Sequence, residues 1–177
     1  MAQRRPVLVV PGGGPFADAV RAIDAEVGLA DDVAHVLALR AMDQLGVLVR
    51  ALLPGAELVA GLVAPRALGV LEVAPAFEDR PEVPQSWAVT SDSLAVLAAA
   101  AIGAPEAVLL KPVAGVMARW PSDDPPLSSL TVAELRELQA RGGGKAVDAY
   151  LPEAVTRTGV SVVVRGPSTV GTRISPG

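Results

Sequence analysis

The sequence predicts an α/β protein: a three-layer αβα sandwich around a mostly parallel sheet, organised as a single domain over residues 1–177. Three observations carry this prediction. Short runs of aliphatic and β-branched residues, at 7–10, 107–110 and 160–164, alternate with longer stretches of helical spacing. Strands alternating with helices favour parallel pairing through helical crossovers, with helices covering both faces of the sheet. The 177 residues are 51% hydrophobic but only 3% aromatic, so the core must come from Ala, Val and Leu, side chains suited to close helix-on-sheet layers.

Pro6–Pro11 is a continuous apolar run, the pattern of a strand buried on both faces. Pro15–Val27 follows as a helix, with Phe16, Ala17, Val20, Ile23 and Val27 on one face and Pro15 placed at a first helical position. Asp31-Asp32 open a longer helix to about Leu52, its apolar face carrying Val33, Val36, Leu37, Ala41 and Leu45, and Pro54-Gly55 stop it. Within 56–86 only Leu68–Val73 reads as a strand, and Phe77–Pro84 reads as a charged loop. Ala88–Thr90 leads into Ser91-Asp92-Ser93, and Leu94–Ile102 is an apolar helix ended by Gly103. Ala107–Leu110 is a buried strand closed by Lys111, and a loop rich in Pro, Ser and Asp occupies 112–128. Helices are expected at Leu130–Ala140 and Val147–Thr158, separated by a glycine break at Arg141–Gly144. Strands are expected at Val160–Val164 and Gly171–Ile174.

Composition excludes several classes of function. The net charge is −4, and of 15 basic residues only Lys111 and Lys145 are lysines. The arginines are scattered, so no basic stripe meets a phosphodiester backbone and nucleic acid is not expected as a partner. The absence of cysteine removes disulfides, thiolate metal sites and thiol nucleophiles, and suits a reducing cytoplasm. Mean hydropathy is +0.43. Yet Leu52–Val73 and Leu94–Leu110 are interrupted by Pro, Gly and charged residues, so neither makes a membrane span of about 20 residues. Arg4-Arg5 precede an apolar run too short for a signal peptide. A cytoplasmic protein with apolar surface buried in an oligomer is expected.

Four groups of residues could carry chemistry. Gly12-Gly13-Gly14 stand between a strand and a helix. They can expose helix-start amides to a phosphate or carboxylate, or they can serve as a steric corner. Thr90-Ser91-Asp92-Ser93 precede an apolar helix, where capping of the first turn is the ordinary role. Lys111 closes an apolar strand at the edge where ligands of parallel sheets gather; an ammonium there could stabilise charge on a transferring phosphoryl group. His35, the single histidine, reads as a packing residue, with contact to a substrate as the alternative. The acidic pairs Asp31-Asp32 and Asp123-Asp124 have no further ligand at suitable spacing, so no metal site is expected.

The segments PGGGPFADAVR, AHVLALRAMDQLG, WAVTSDSLAVLAAAAIGA and AVLLKPVAGV, with GTRI near the end, resemble the amino acid kinase superfamily in sequence and in order. The second and third are similar to the branch that phosphorylates aminomethylfuran-methanol phosphate in methanofuran or methylofuran synthesis. The resemblance implies that Gly12, Gly13, Gly14 and His35 lie on the side of the phosphoryl acceptor. It implies that Asp92 organises the catalytic lysines and that Asp92 and Lys111 are the catalytic residues. Thr90, Ser91, Lys111 and Gly115 would meet the nucleotide. The chemistry implied is in-line transfer from ATP and Mg2+ by positioning and charge stabilisation.

Two departures from the family pattern stand out. No counterpart of its first Lys-x-Gly-Gly-Ser loop precedes the strand at Pro6, and the usual Asp-Gly of the nucleotide segment is Ala114-Gly115. They favour a non-catalytic or regulatory homologue, a pseudokinase that keeps a pocket for a small anionic ligand. Such a chain would act in a homo-oligomer, or in a hetero-oligomer with a kinase paralogue. The alternative is an active ATP-dependent kinase acting on an aminomethylfuran phosphate or a similar phosphomonoester.

Overall fold

Val70 and Leu71 are wholly inaccessible to solvent at the centre of the first of two compact units into which the chain divides, one ending at Trp87 and the other starting at Ala88. The computed structural model describes residues 5–119, 121 and 124–177. Of the residues singled out above, Arg4 and Asp123 lie outside these.

The first unit contains strands β1 (Val7–Val9), β2 (Glu57–Ala60) and β3 (Leu68–Glu72) and helices α1 (Gly14–Val27), α2 (Asp31–Leu52) and α3 (Val73–Phe77). The strands pair in parallel in the order β1-β3-β2. α2 packs on β3 and α1 packs on α2. Gly46 permits the close approach, because a Cβ there would sit 3.3 Å from Pro11 Cγ and 3.6 Å from Val70 Cγ1.

Several helix ends have local causes. α1 stops at Gly28, whose positive φ of 67° lets its amide donate to the Asp24 carbonyl, while the Asp24 carboxylate accepts from the Leu29 amide at 2.9 Å. The same carboxylate accepts from Trp87 Nε1 at 2.7 Å, and the Arg21 guanidinium lies 4.8 Å above the Trp87 ring.

Four expectations are corrected in this unit. β1 is shorter than Pro6–Pro11 and not buried on both faces: Val7 is 51% exposed, because β1 lies at the end of its sheet with β3 as its one partner. α2 faces inward through Ala34, His35, Leu39, Ala41, Met42 and Gly46, leaving Val33 and Leu37 exposed. Apolar residues encircle most of this helix, so spacing alone does not choose the side. β2 went unread because the run is short, opens on a charge and buries only Val59 of its four residues. The segment after Glu72 turns into α3, since the carboxylate of Asp43 accepts from the Val73 and Ala74 amides at its start.

The second unit contains α4 (Ser91–Ala101), β4 (Glu106–Leu110), β5 (Ser129–Thr131), α5 (Val132–Ala140), α6 (Leu151–Thr158), β6 (Ser161–Arg165) and β7 (Thr172–Ser175). Its sheet runs β4-β6-β7-β5, with the β6–β7 pair antiparallel and the others parallel. The inward residues Ala107, Leu109, Val162, Val164 and Ile174 pack against Val96, Leu135, Leu151 and Val155 of the helices. The fold is therefore mixed α/β with mostly parallel strands, as expected. The helix expected from Leu130 begins instead at Val132, because Thr131 caps it in a reciprocal box with Glu134 and Ser129–Thr131 pair with β7. The helix expected from Val147 begins at Leu151, since Val147 and Asp148 are held in the preceding turn. Among the described residues no helix is long and apolar enough to cross a membrane.

Gly69 offers a check on the packing of β3. A Cβ there would meet Val59 Cγ2 at 2.5 Å and Pro65 Cβ at 2.8 Å. Gly69→Ala is expected to cost about 1–3 kcal/mol by overpacking, read as a lower urea midpoint with an unchanged slope. An unaltered midpoint would show that the Pro65 loop yields freely.

Candidate functional site

The start of α4 assembles the one cluster of buried charge in the second unit among the described residues. Thr90 is its N-cap in extended conformation, and its hydroxyl is 3.5 Å from the Asp92 amide, too long to satisfy that donor well. The stronger partner is Asp148, from the turn before α6. Its Oδ2 accepts from the Thr90 amide at 2.8 Å, the Thr90 hydroxyl at 2.9 Å and the Ser93 amide at 3.1 Å. Its Oδ1 accepts from the Ser93 hydroxyl. Asp92, 3% exposed, points to the end of β4, where Lys111 Nζ lies 2.7 Å from each of its carboxylate oxygens. The Asp148 amide donates to Asp92 Oδ2 at 3.1 Å. Lys111 is itself fixed at the strand end, its amide donating to the Arg165 carbonyl at 2.9 Å.

Burial is the largest influence on Asp92 and pushes its carboxyl above the usual aspartate range. The charge and hydrogen bond of Lys111 pull it back, the charge of Asp148 pushes it up again, and the Asp148 amide pulls it down. The net direction is upward: the ammonium offsets only part of the desolvation. Of the two carboxylates, Asp92 alone pairs with the ammonium, while the neighbouring Asp148 carboxylate is bonded to Thr90 and Ser93.

The structure brings together Asp92, Lys111 and Thr90 of the predicted residues. Ser91 is half-buried beside them. Gly115 stands at a close approach, where a Cβ would lie 2.6 Å from Thr172 Oγ1 and 2.9 Å from Pro126 Cβ. The hydroxyl of Thr172 accepts from the Val116 amide at 2.8 Å, so the bend after Lys111 is locked to β7.

Gly12, Gly13, Gly14 and His35 belong to the first unit. Gly13 has no room for a Cβ because Ala17 occupies it, and Gly14 has φ +50° with Leu45 Cδ2 3.1 Å from where its Cβ would be. Sterics alone therefore require glycine at 13 and 14. His35 is buried on α2, and burial lowers its pKa from the usual imidazole range by disfavouring the charged form.

Sequence reasoning named Ser93 with its neighbours but missed Asp148 as a member of the cluster. No local signal marked it, since every donor to its carboxylate lies more than 50 residues away in sequence.

Comparison with known proteins adds to this geometry. The profile of the Amino acid kinase family matches residues 1–166. The [5-(aminomethyl)furan-3-yl]methyl phosphate kinase of Methanocaldococcus jannaschii is 25% identical over 120 residues, which cover 65% of this chain and 56% of that protein. The acetylglutamate kinase of an Arthrobacter species is 38% identical over 81 residues, 45% of this chain and 26% of the relative. The chain thus spans little more than half of the first relative and about a quarter of the second. Among solved structures, the uridylate kinase of Archaeoglobus fulgidus superposes with TM-score 0.71 at 20% identity, covering 97% of this chain and 85% of its own. An aspartate kinase from Synechocystis gives 0.69 at 17%, covering 97% of this chain and 34% of its own. These superpositions establish the likeness of fold.

The direction of the Asp92 shift makes a testable statement. An acid whose folded pKa is raised favours folding below its ordinary pKa, and that contribution disappears as pH rises through the raised value. Against Asp92→Asn, the wild type should therefore be relatively more stable in acid. The difference should shrink toward neutrality in urea unfolding at stepped pH. A difference that grows toward neutrality would mean that pairing with Lys111 outweighs burial.

Proposed function

Because the chain belongs to the amino acid kinase family, we propose that its Asp92–Lys111 centre serves phosphoryl transfer from ATP to a small phosphomonoester of the aminomethylfuran phosphate type. The observation that carries this reading is the buried ion pair itself. An ammonium anchored at the C-terminal end of a strand by a helix-borne carboxylate is built to meet charge on a phosphoryl group. The acceptor class comes from the relative in Methanocaldococcus jannaschii. In the reaction a phosphate oxygen of the acceptor bonds to the terminal phosphorus of ATP as the bridge to ADP breaks.

The residues present assign the work unevenly. Asp148 accepts four hydrogen bonds and Asp92 is ion-paired, so these carboxylates do not form a magnesium site of protein ligands. Lys111 orients and neutralises the transferring group, and Asp92 holds the ammonium in place. Lys145, the other lysine, is exposed and makes no ion pair among the described residues.

A second reading rests on Ala114, which stands where the family pattern has an aspartate. In it the chain binds a small anion without turnover and acts through association, in which case the exposed Ile23, Val27, Val47, Leu48 and Leu52 of α1 and α2 supply apolar surface.

Calorimetry with ATP, with and without magnesium, followed by a coupled ADP-release assay on furan phosphates, tests both. Binding with turnover is expected; binding without turnover selects the second reading, and the absence of both binding and turnover sinks the kinase reading. Lys111→Ala should weaken ATP binding by about tenfold or more, with helix content intact. Equal affinity in the variant would move the nucleotide site away from β4.

A further inference from the structure

We infer that Asp148 is a positioning residue for the Asp92–Lys111 pair, holding the Asp92 carboxylate through its own main-chain amide while its side chain fixes the helix start that carries Asp92. The inference rests on the reading of Asp92 and Lys111 as a working pair, but its structural argument is separate.

Asp148 reaches the start of α4 from 55 residues away in sequence and is 9% exposed. Its side-chain bonds fall on residues 90 and 93, bracketing Asp92, with three donors on Oδ2 and one on Oδ1, so this buried carboxylate is committed to the helix start. It is therefore not a group that touches substrate. Helix capping alone does not account for the rest of its contacts. The Asp148 amide turns toward Asp92 Oδ2, and the Gln139 side-chain amide donates to the Asp148 carbonyl at 3.2 Å, which pins the turn. Without that amide, the Asp92 carboxylate would be held only by an ammonium on a flexible four-carbon stem. Side chain and main chain of one residue thus set both the backbone beneath Asp92 and the direction in which its carboxylate points.

The test uses the two lysines of the chain. Lysine labelled at Nζ gives two nitrogen signals, which Lys145→Arg assigns. In the wild type, Lys111 ammonium protons should exchange slowly and those of Lys145 rapidly. Asp148→Asn keeps shape but sets an amide donor among four donors. It should speed Lys111 exchange by about tenfold, the worth of one hydrogen bond to a charged group, with Lys145 unmoved. Ser93→Ala, which removes one bond to Oδ1, should act in the same direction and serves if Asp148→Asn fails to fold. Wild-type Lys111 exchange in folded Asp148→Asn, or in Ser93→Ala where only that variant folds, would reduce Asp148 to a helix cap and overturn the inference. No nucleotide enters the measurement. A chain that binds no ATP yet shows the exchange response loses the kinase reading and keeps this one.

Discussion

A carboxylate taken out of water has to be given hydrogen bonds in return, and Asp148 receives four on its side chain at the head of α4. Each donor that would otherwise stand unpaired at a helix start gains a charged acceptor, worth about 1.5–3 kcal/mol per bond in typical cases. The consequence is local rigidity where it matters. Thr90 and Ser93 are fixed on either side of Asp92, and the Asp92 carboxylate is fixed by Lys111 on one side and by the Asp148 amide on the other. The turn before α6, the start of α4 and the end of β4 are therefore joined through polar groups, beside an apolar core of Val, Leu and Ala that specifies distances but not directions.

The glycines at 12–14 show how chemistry and sterics can ask for the same residue. Close approach of Ala17 and positive φ at Gly14 suffice to require glycine at 13 and 14, whether or not an anion visits the helix start. Gly115 is similar, pressed against Thr172 and Pro126. At these positions the motif is accounted for by packing before any ligand is considered. Lys111 is different: nothing in apolar packing calls for an ammonium at the end of β4, and its partner is a buried acid rather than solvent.

Much of the fold was legible because its signals are local. The limits of α1 and α2 follow from Pro15, Gly28, Asp31-Asp32 and Pro54-Gly55, each acting within a turn of its own position. Asp92 and Lys111 were legible for the same reason, one at a helix start and one at the end of an apolar strand. What escaped depends on partners distant in sequence. Val73 was read into a strand, yet Asp43, 30 residues earlier, draws its amide into a helix start. The inward face of α2 is chosen by Pro11 and β3 against Gly46, not by the helix's own period. Asp148 carries no local mark at all, since every donor to its carboxylate lies more than 50 residues away.

Charge at the centre bears on how an anion could be met. The Thr90 and Ser93 amides at the head of α4 already face the Asp148 carboxylate, so these two donors are not on offer to a phosphate. Lys111 is the remaining cation of the cluster, and Asp92 balances it. A polyanion approaching this group of two carboxylates and one ammonium gains nothing from net charge. It must gain from direction, by drawing the ammonium partly away from Asp92 toward its own oxygens. A centre of this kind discriminates by geometry more than by attraction, which gives the fixed position of the Asp92 carboxylate its importance.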